Sequence, residues 1–340
     1  MKILVTGGLG YIGSHTVLSL LENNFQVVVF DNLVNSSEES LNRVMKLTGK
    51  TVTFIEGDIR DASALDKVFE QHDIACVIHF AALKAVGESS NIPLSYYQNN
   101  VFGALNLLEV MAKHQVHNFI FSSSATVYGE ENEIPYVETM KLGTPSSPYG
   151  ASKVMVERIM ADYAIADPEF RGVSLRYFNP IGAHQSGEIG EDPSGIPNNL
   201  LPFLAQVAVG KRDKLNVFGD DYPTKDGSCE RDYLHVMDLA EGHVCALNWL
   251  NDHSNFNGVE AFNLGTGNGT SVFAIIKAFE QATAIKIPFE VTPRRAGDLP
   301  AFWADAHKAT TQLNWQATRS LETMMVDTWH WQSKNPNGYL

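Results

Sequence analysis

The sequence predicts an α/β protein: a doubly wound parallel sheet carrying a smaller α/β lobe. Two observations point there. Short β-branched runs alternate with helical periodicity through the first 180 residues, the pattern of a parallel sheet covered by helices. A glycine-rich turn also joins the first such run to the first helix, where open sheets of this class bind their ligands.

The elements follow in order. Strands are predicted at residues 3–6, 26–30, 51–56, 75–80, 118–122 and 173–177. Helices are predicted at 12–22, 38–47, 61–71, 94–113 and 149–164. The rhythm breaks after Asn179-Pro180. Residues 180–230 are rich in Gly, Pro, Asp and Asn and predict a loop-heavy region. Two further strands are expected at 231–235 and 261–264, and a helix at 272–283. The expected division is a nucleotide-binding domain over 1–179, with a returning segment near 231–264, and a second domain formed mainly by 180–340. A cleft between the two lobes is the expected binding site.

Composition excludes some functions. A net charge of −14 argues against a nucleic-acid surface but leaves room for an anionic small molecule held by a few clustered cations. Cys76, Cys229 and Cys245 are scattered and odd in number, which suggests free thiols in a reducing compartment. The strand-like opening shows no secretory signal, and no apolar run reaches membrane-spanning length. A cytoplasmic protein is expected. The eleven histidines form no His-x-x-x-His pattern, and Cys76 and His79 fall on opposite faces of a predicted core strand, so no metal site is expected.

Gly7, Gly10 and Gly13 follow the first predicted strand and open the first predicted helix. Glycines there permit a tight turn and a close approach of backbone to a pyrophosphate, with the helix N-terminus offering free N–H groups. Asp31 closes the second predicted strand, 18 residues after Gly13. A carboxylate there accepts from adenosine ribose hydroxyls and repels a 2′-phosphate, which favours NAD over NADP. Together these read as a Rossmann dinucleotide site. Asp58, after the third strand, is placed either to accept from an adenine amino group or to cap the next helix. Phe80 and Ala81 end the fourth strand beside the expected cofactor, and Lys84 just beyond is either a cofactor contact or a solvated surface lysine.

Tyr149 and Lys153 stand four residues apart on one face of a predicted helix. A phenol titrates near ~10, so a cation beside it in a partly dehydrated pocket is what makes it a base near neutrality. Ser124, in Ser122-Ser123-Ser124 at the end of the fifth strand, is placed to hand a hydrogen bond to the same reacting oxygen.

On these residues the chain resembles the extended short-chain dehydrogenase/reductase family, nearly end to end. The stretches that carry the likeness include Gly7–His15, His79–Ser89, Phe121–Gly129, Tyr149–Lys153, Arg176–Ala183, Gly195–Leu200, Arg231–Leu239 and Arg294–Asp305. Within the family it is most similar to members that invert C4 of a UDP-hexose. The resemblance implies catalysis by Ser124, Tyr149 and Lys153, with NAD as cofactor and UDP-glucose and UDP-galactose as substrates. It adds Tyr11, Ile12, Asn32, Asn35 and Ser36 to the cofactor site, with Ile59, Asn99 and Phe178. On the substrate side it implies Asn179, Asn199, Leu200 and Tyr233 along the UDP-sugar, and Asn216, Val217 and Phe218 along uracil. Arg231 and Arg295 would meet the diphosphate, whose oxygens suit forked guanidinium bonds, and Asp298 the uridine ribose. It also suggests a homodimer through the helices near 94–113 and 149–164.

Relatives that eliminate water carry a carboxylate just after the serine. Here those positions are Ala125 and Thr126, which favours oxidation and re-reduction at one carbon. Phe302 matches a sugar-pocket position where bulk disfavours N-acetylated sugars, though core packing explains it equally well. A different class, an NAD-binding redox regulator, would not need Ser124, Tyr149 and Lys153 together.

Overall fold

The computed structural model describes residues 1–295 and 298–340; residues 296 and 297, inside the Arg294–Asp305 stretch, lie outside the described residues. Its centre is a seven-stranded sheet, parallel throughout. Six strands come from the first 177 residues: β1 (Lys2–Thr6), β2 (Gln26–Asp31), β3 (Thr53–Glu56), β4 (Cys76–His79), β5 (Asn118–Ser124) and β6 (Arg171–Tyr177). The seventh, Gly258–Leu264, pairs with β6 at the edge. The spatial order is Gly258–Leu264, β6, β5, β4, β1, β2, β3. The chain therefore winds outward from β1 to β3, then crosses back to β4 on the other side of β1. That reversal opens a crevice at the carboxyl ends of β1 and β4.

Both faces of the sheet are buried, which is why its strands read as unbroken apolar runs. On one face Val5, Val29, Ile78 and Leu175 pack against α1 (Tyr11–Glu22), α2 (Glu38–Thr48) and the Val236–Asp252 helix. On the other, Leu4, Val28, Val77 and Phe119 pack against α3 (Ala62–Gln71) and the helices Gly103–Lys113 and Pro148–Ala166. A separate core of Leu201, Leu204, Ile275, Phe279, Met324 and Met325 builds the second lobe from the helices Leu200–Ala208, Val272–Thr283 and Leu321–Lys334.

Three expectations need correction. The helix expected over 94–113 is not one regular helix: residues Tyr97–Phe102 form a π-helix between α-helical Pro93–Tyr96 and Gly103–Lys113. The wider turn leaves Asn99 and Asn100 buried beside the crevice, where Asn100 exchanges hydrogen bonds with both backbone groups of Leu83 (2.8 and 3.0 Å). The 180–230 region is less loop-like than its composition suggests. Leu200–Ala208 is a helix that tolerates Pro202 because it falls in the first turn, where the missing N–H costs nothing. The strand expected at 231–235 is two strands in different sheets. Glu230–Arg231 pairs with Thr270–Ser271 and Ala301–Phe302, whereas Tyr233–His235 pairs with Asn179–Ile181. Asp232 sits at the break. Its N–H donates to the Phe302 carbonyl (3.0 Å) and its carbonyl accepts from Asn179 N–H (2.9 Å), so its backbone hands the chain from one sheet to the other, while its buried carboxylate accepts from the backbone N–H groups of Thr266, Gly267 and Ala304 (2.8, 3.0 and 3.2 Å).

Candidate active site

One deep cleft of about 620 Å³ runs along the carboxyl ends of the central strands and under the second lobe. Its floor is the glycine turn after β1. Gly7 takes a left-handed backbone (φ +71°), and a Cβ there would lie 2.6 Å from the Ala81 nitrogen. A Cβ on Gly13 would lie 2.2 Å from the Gly7 carbonyl oxygen. Both positions demand glycine, and the close packing aims the start of α1 into the cleft. Among the described residues no side chain caps that helix start, and its first turn holds no acidic residue, so its N–H groups face the cleft unclaimed.

Asp31, at the end of β2, is buried at the cleft wall and fixes this turn. Its carboxylate accepts from Leu9 N–H (3.0 Å), Leu33 N–H (3.0 Å) and the Ser36 hydroxyl (2.8 Å). One acceptor position remains of the roughly four a carboxylate offers. The uncapped helix start, the glycine cradle and this carboxylate suit the pyrophosphate and adenosine ribose of NAD.

The catalytic-type residues converge farther along the cleft. Ser147 caps the Pro148–Ala166 helix by accepting from Gly150 N–H (3.2 Å), and Pro148 occupies its first turn. That start places Tyr149 at the mouth of the helix and Lys153 one turn deeper. The Lys153 side chain is only 3% exposed, and its Nζ donates to the Ser122 carbonyl at 2.6 Å. Burial lowers its pKa to about 7, partly opposed by the Glu157 carboxylate one turn on. The Lys153 Nζ lies 5.8 Å from the Tyr149 ring centre and 4.8 Å from that of Phe121. Burial raises the Tyr149 pKa, with the Ser124 hydroxyl pulling the other way. The lysine is thus near the phenol without being bonded to it, and the protein alone leaves Tyr149 a phenol. The Ser124 oxygen accepts from both Thr126 N–H (3.2 Å) and the Thr126 hydroxyl (3.0 Å). Its own proton is left free to donate into the cleft.

Behind these residues lies a buried ion pair. Arg176 on β6 donates to Glu157 through Nε (3.0 Å) and Nη2 (2.6 Å), and Ser123 Oγ donates to the same carboxylate at 2.5 Å. The tie fixes Ser123 between the two cleft-side serines of β5.

The structure brings most of the sequence-predicted positions into this single cleft. Gly7, Gly10, Tyr11, Ile12, Gly13, Asp31, Asn32, Asn35 and Ser36 line the dinucleotide end, with Ile59 and Phe80. Ala81, Lys84, Asn99, Ser124, Tyr149, Lys153 and Phe178 continue it. Asn179, Asn199, Leu200, Arg231, Tyr233, Asp298 and Phe302 line the second-lobe side. Arg231 is oriented by the carbonyls of Glu230 (2.9 Å) and Leu299 (2.8 Å) and by Asp298 (3.3 Å). Five positions lie outside the cleft lining. Asp58 is tied to the Arg60 guanidinium (2.7 Å) and accepts from Asn32 (3.0 Å), and these bonds hold its carboxyl well below the usual range. Asn216, Val217 and Phe218 form a strand paired with Phe289–Thr292, and the exposed Arg295 guanidinium stacks on the Phe218 ring at 3.8 Å. Lys84 is neither free nor merely solvated: its Nζ pairs with Glu191 at 3.1 Å.

Cleft residues that the sequence did not single out include Tyr177, Glu191 and Tyr339. The Tyr177 hydroxyl donates to the Ser122 hydroxyl. Tyr177 was within reach, since it precedes Phe178. Nothing local marks Glu191 or Tyr339, which meet the dinucleotide end only through folding.

A family model described as GDP-mannose 4,6 dehydratase matches residues 4–328. The UDP-glucose 4-epimerase of Erwinia amylovora is 61% identical over 99% of this chain and 99% of its own length. That of Yersinia pestis is 58% identical over 100% of this chain and 99% of its own. Among solved structures, UDP-glucose 4-epimerase from Bifidobacterium longum, in complex with NAD+ and UDP, has a TM-score of 0.95 at 50% identity, covering 99% of this chain and 100% of that one. The fold and the cleft define a nucleotide-sugar enzyme of the extended short-chain dehydrogenase/reductase class. Within that class the chain belongs to the UDP-glucose 4-epimerase family.

Proposed function

We propose that the cleft holds NAD at the glycine turn and a UDP-hexose beside it, and that Tyr149, Lys153 and Ser124 carry the inversion at C4. The enzyme is an NAD-dependent isomerase that epimerises UDP-hexoses at C4, with UDP-glucose and UDP-galactose as the pair. One observation carries the residue assignment: Ser124, Tyr149 and Lys153 line the same cleft as the uncapped start of α1.

Bound NAD+ supplies the hydride acceptor and, once reduced, the donor for the return. Tyr149 takes the proton of the sugar 4-hydroxyl as C4 becomes a ketone, and gives it back when C4 is reduced from the other side. Ser124, its lone pairs held by Thr126, donates to the reacting oxygen. Lys153 lends positive charge to the phenolate from inside a dehydrated pocket. Arg231 meets the diphosphate from its preset position, with Asn179, Asn199 and Leu200 beside it. Asn216, Val217 and Phe218 along uracil, and Arg295 at the diphosphate, lie outside the cleft lining, so those assignments rest on the family resemblance alone. A firmly held nucleotide and a loosely held sugar let the keto sugar turn without leaving.

Ala125 and Thr126 support epimerisation over water elimination, because neither can act as a general acid or base. The domain division follows the same logic: residues 1–179 and the returning segment near 231–264 for NAD, the remainder mainly for the UDP-sugar. Exposed Leu94, Phe102 and Met155 on neighbouring helices support a homodimer, which light scattering tests. Among the described residues no helix is long and apolar enough to cross a membrane, and the three cysteines are free; a cytoplasmic location fits both. The function itself is tested by incubating purified protein with UDP-galactose and no added reductant. UDP-glucose should form, and its absence would overturn the reading.

A further inference from the structure

The loop Gly182–Asp192 forms the wall that closes the dinucleotide end of the cleft, where Gly190, Glu191 and Asp192 face the glycine turn. It is fastened from four directions. The hydroxyl of Tyr11, the first residue of α1, donates to the Gly182 carbonyl at 2.7 Å. Lys84, beyond β4, pairs with Glu191 at 3.1 Å. Arg43 on α2 donates to the Glu188 carbonyl (3.1 Å) and to the Asn335 side chain (2.6 Å). The segment after the last helix completes the fastening. Asn335 Nδ2 donates to the Gly187 carbonyl at 2.9 Å, Tyr339 N–H to Asp192 at 3.0 Å, and the Tyr339 hydroxyl lies 3.2 Å from both backbone groups of Gly190. The Arg43 guanidinium stands 5.2 Å from the Tyr339 ring centre, so α2, the loop and the last segment form one knot. Tyr339 itself lines the cleft.

We infer that Arg43 and Tyr339 are positioning residues that clasp this loop over the dinucleotide and thereby set how slowly the cofactor leaves. The inference rests on the NAD reading above. Tyr11 and Lys84 fasten the wall from inside the cleft, where a bound dinucleotide competes for them. Arg43 holds it from outside the cleft, and Tyr339, at the cleft's edge, holds it through its N–H to Asp192 and its hydroxyl at Gly190. Opening the wall requires breaking the Arg43 and Tyr339 contacts together, so removal of either speeds opening. A cofactor that serves for both halves of a redox cycle must stay through turnover, and this clasp is the part of the cleft built for that.

The experiment follows exchange of protein-bound NAD for labelled NAD added in excess, in wild type, Tyr339→Ala and Arg43→Met. The two substitutions lie on different elements, so a folding defect in one leaves the other to decide. Each should exchange roughly five- to tenfold faster than wild type, the scale of one lost hydrogen bond with its cation–π contact. Wild-type exchange rates in a folded variant, with NAD held by wild type, overturn the clasp and leave the NAD reading intact. Wild-type protein that binds no NAD overturns both.

Discussion

Lys153 and Tyr149 share one helix face, with the lysine nitrogen 5.8 Å from the centre of the phenol ring and bonded instead to the Ser122 carbonyl. The lysine is anchored to β5 and reaches the phenol through space. Without ligands, burial raises the phenol and lowers the ammonium to about 7. Burial and Lys153 thus leave Tyr149 a phenol, and the positive charge of a bound nicotinamide would act in the direction that makes it a base.

Lys153→Met should lower turnover by about a hundredfold or more, the range for losing support to a general base. It should also stabilise the cofactor-free protein. A lysine whose folded pKa is depressed costs the folded state its full penalty below about pH 7, where both states are charged. The penalty fades as pH rises from about 7 toward the unfolded value near ~10.4, where both states are neutral. Denaturation at pH 6 and pH 10 checks this: the gain from Lys153→Met should be larger at pH 6. An equal gain at both contradicts the buried-charge account.

Asp31→Ala should loosen NAD and lower thermal stability together. The carboxylate holds Leu9, Leu33 and Ser36 as well as facing the cleft. Bonds to a charged acceptor contribute about 1.5–3 kcal/mol each, so a loss of several degrees in Tm is expected. Weaker NAD binding at unchanged Tm would show that the turn does not depend on this residue.

Arg176→Met should destabilise the fold by about 3–5 kcal/mol, because it strands the buried Glu157 carboxylate. Replacing both residues, with Glu157→Gln added, should recover part of the loss, since no charge is then left unpaired. Urea denaturation reads both. A single variant within ~1 kcal/mol of wild type would contradict the buried pairing.

Phe302 faces the cleft while packing against Tyr136 and Phe178, with ring centres 5.0 and 5.1 Å away. The two roles expected of it are therefore compatible. Wild-type kcat/KM for UDP-N-acetylglucosamine should fall well below that for UDP-glucose, and Phe302→Ser should narrow the gap by about tenfold, the scale of a reshaped apolar pocket. Equal kcat/KM values in the wild type would remove Phe302 from substrate choice.

What was legible in the sequence was whatever depends on local chemistry. Ile3-Leu4-Val5 and Val27-Val28-Val29 read as strands because parallel sheets are buried on both faces. Gly7 and Gly13 read correctly because their backbone geometry admits nothing larger. The Tyr149–Lys153 face followed from helix spacing alone. What was hidden depends on partners far along the chain. The π-turn at Tyr97–Phe102 leaves no periodic trace. Asp232 splits the 231–235 run between two sheets, its N–H going to Phe302 and its carbonyl to Asn179. Lys84 was ambiguous because its partner, Glu191, lies 107 residues away, and the dependence of the phenol on added charge appears only once burial is known.

The central claim is that inversion proceeds by removing and returning the same hydride at C4. UDP-glucose carrying deuterium at C4, converted by the enzyme in ordinary water, tests it directly by mass and NMR analysis of the product. The account predicts UDP-galactose with the deuterium retained at C4. Washout of the label into water would contradict it.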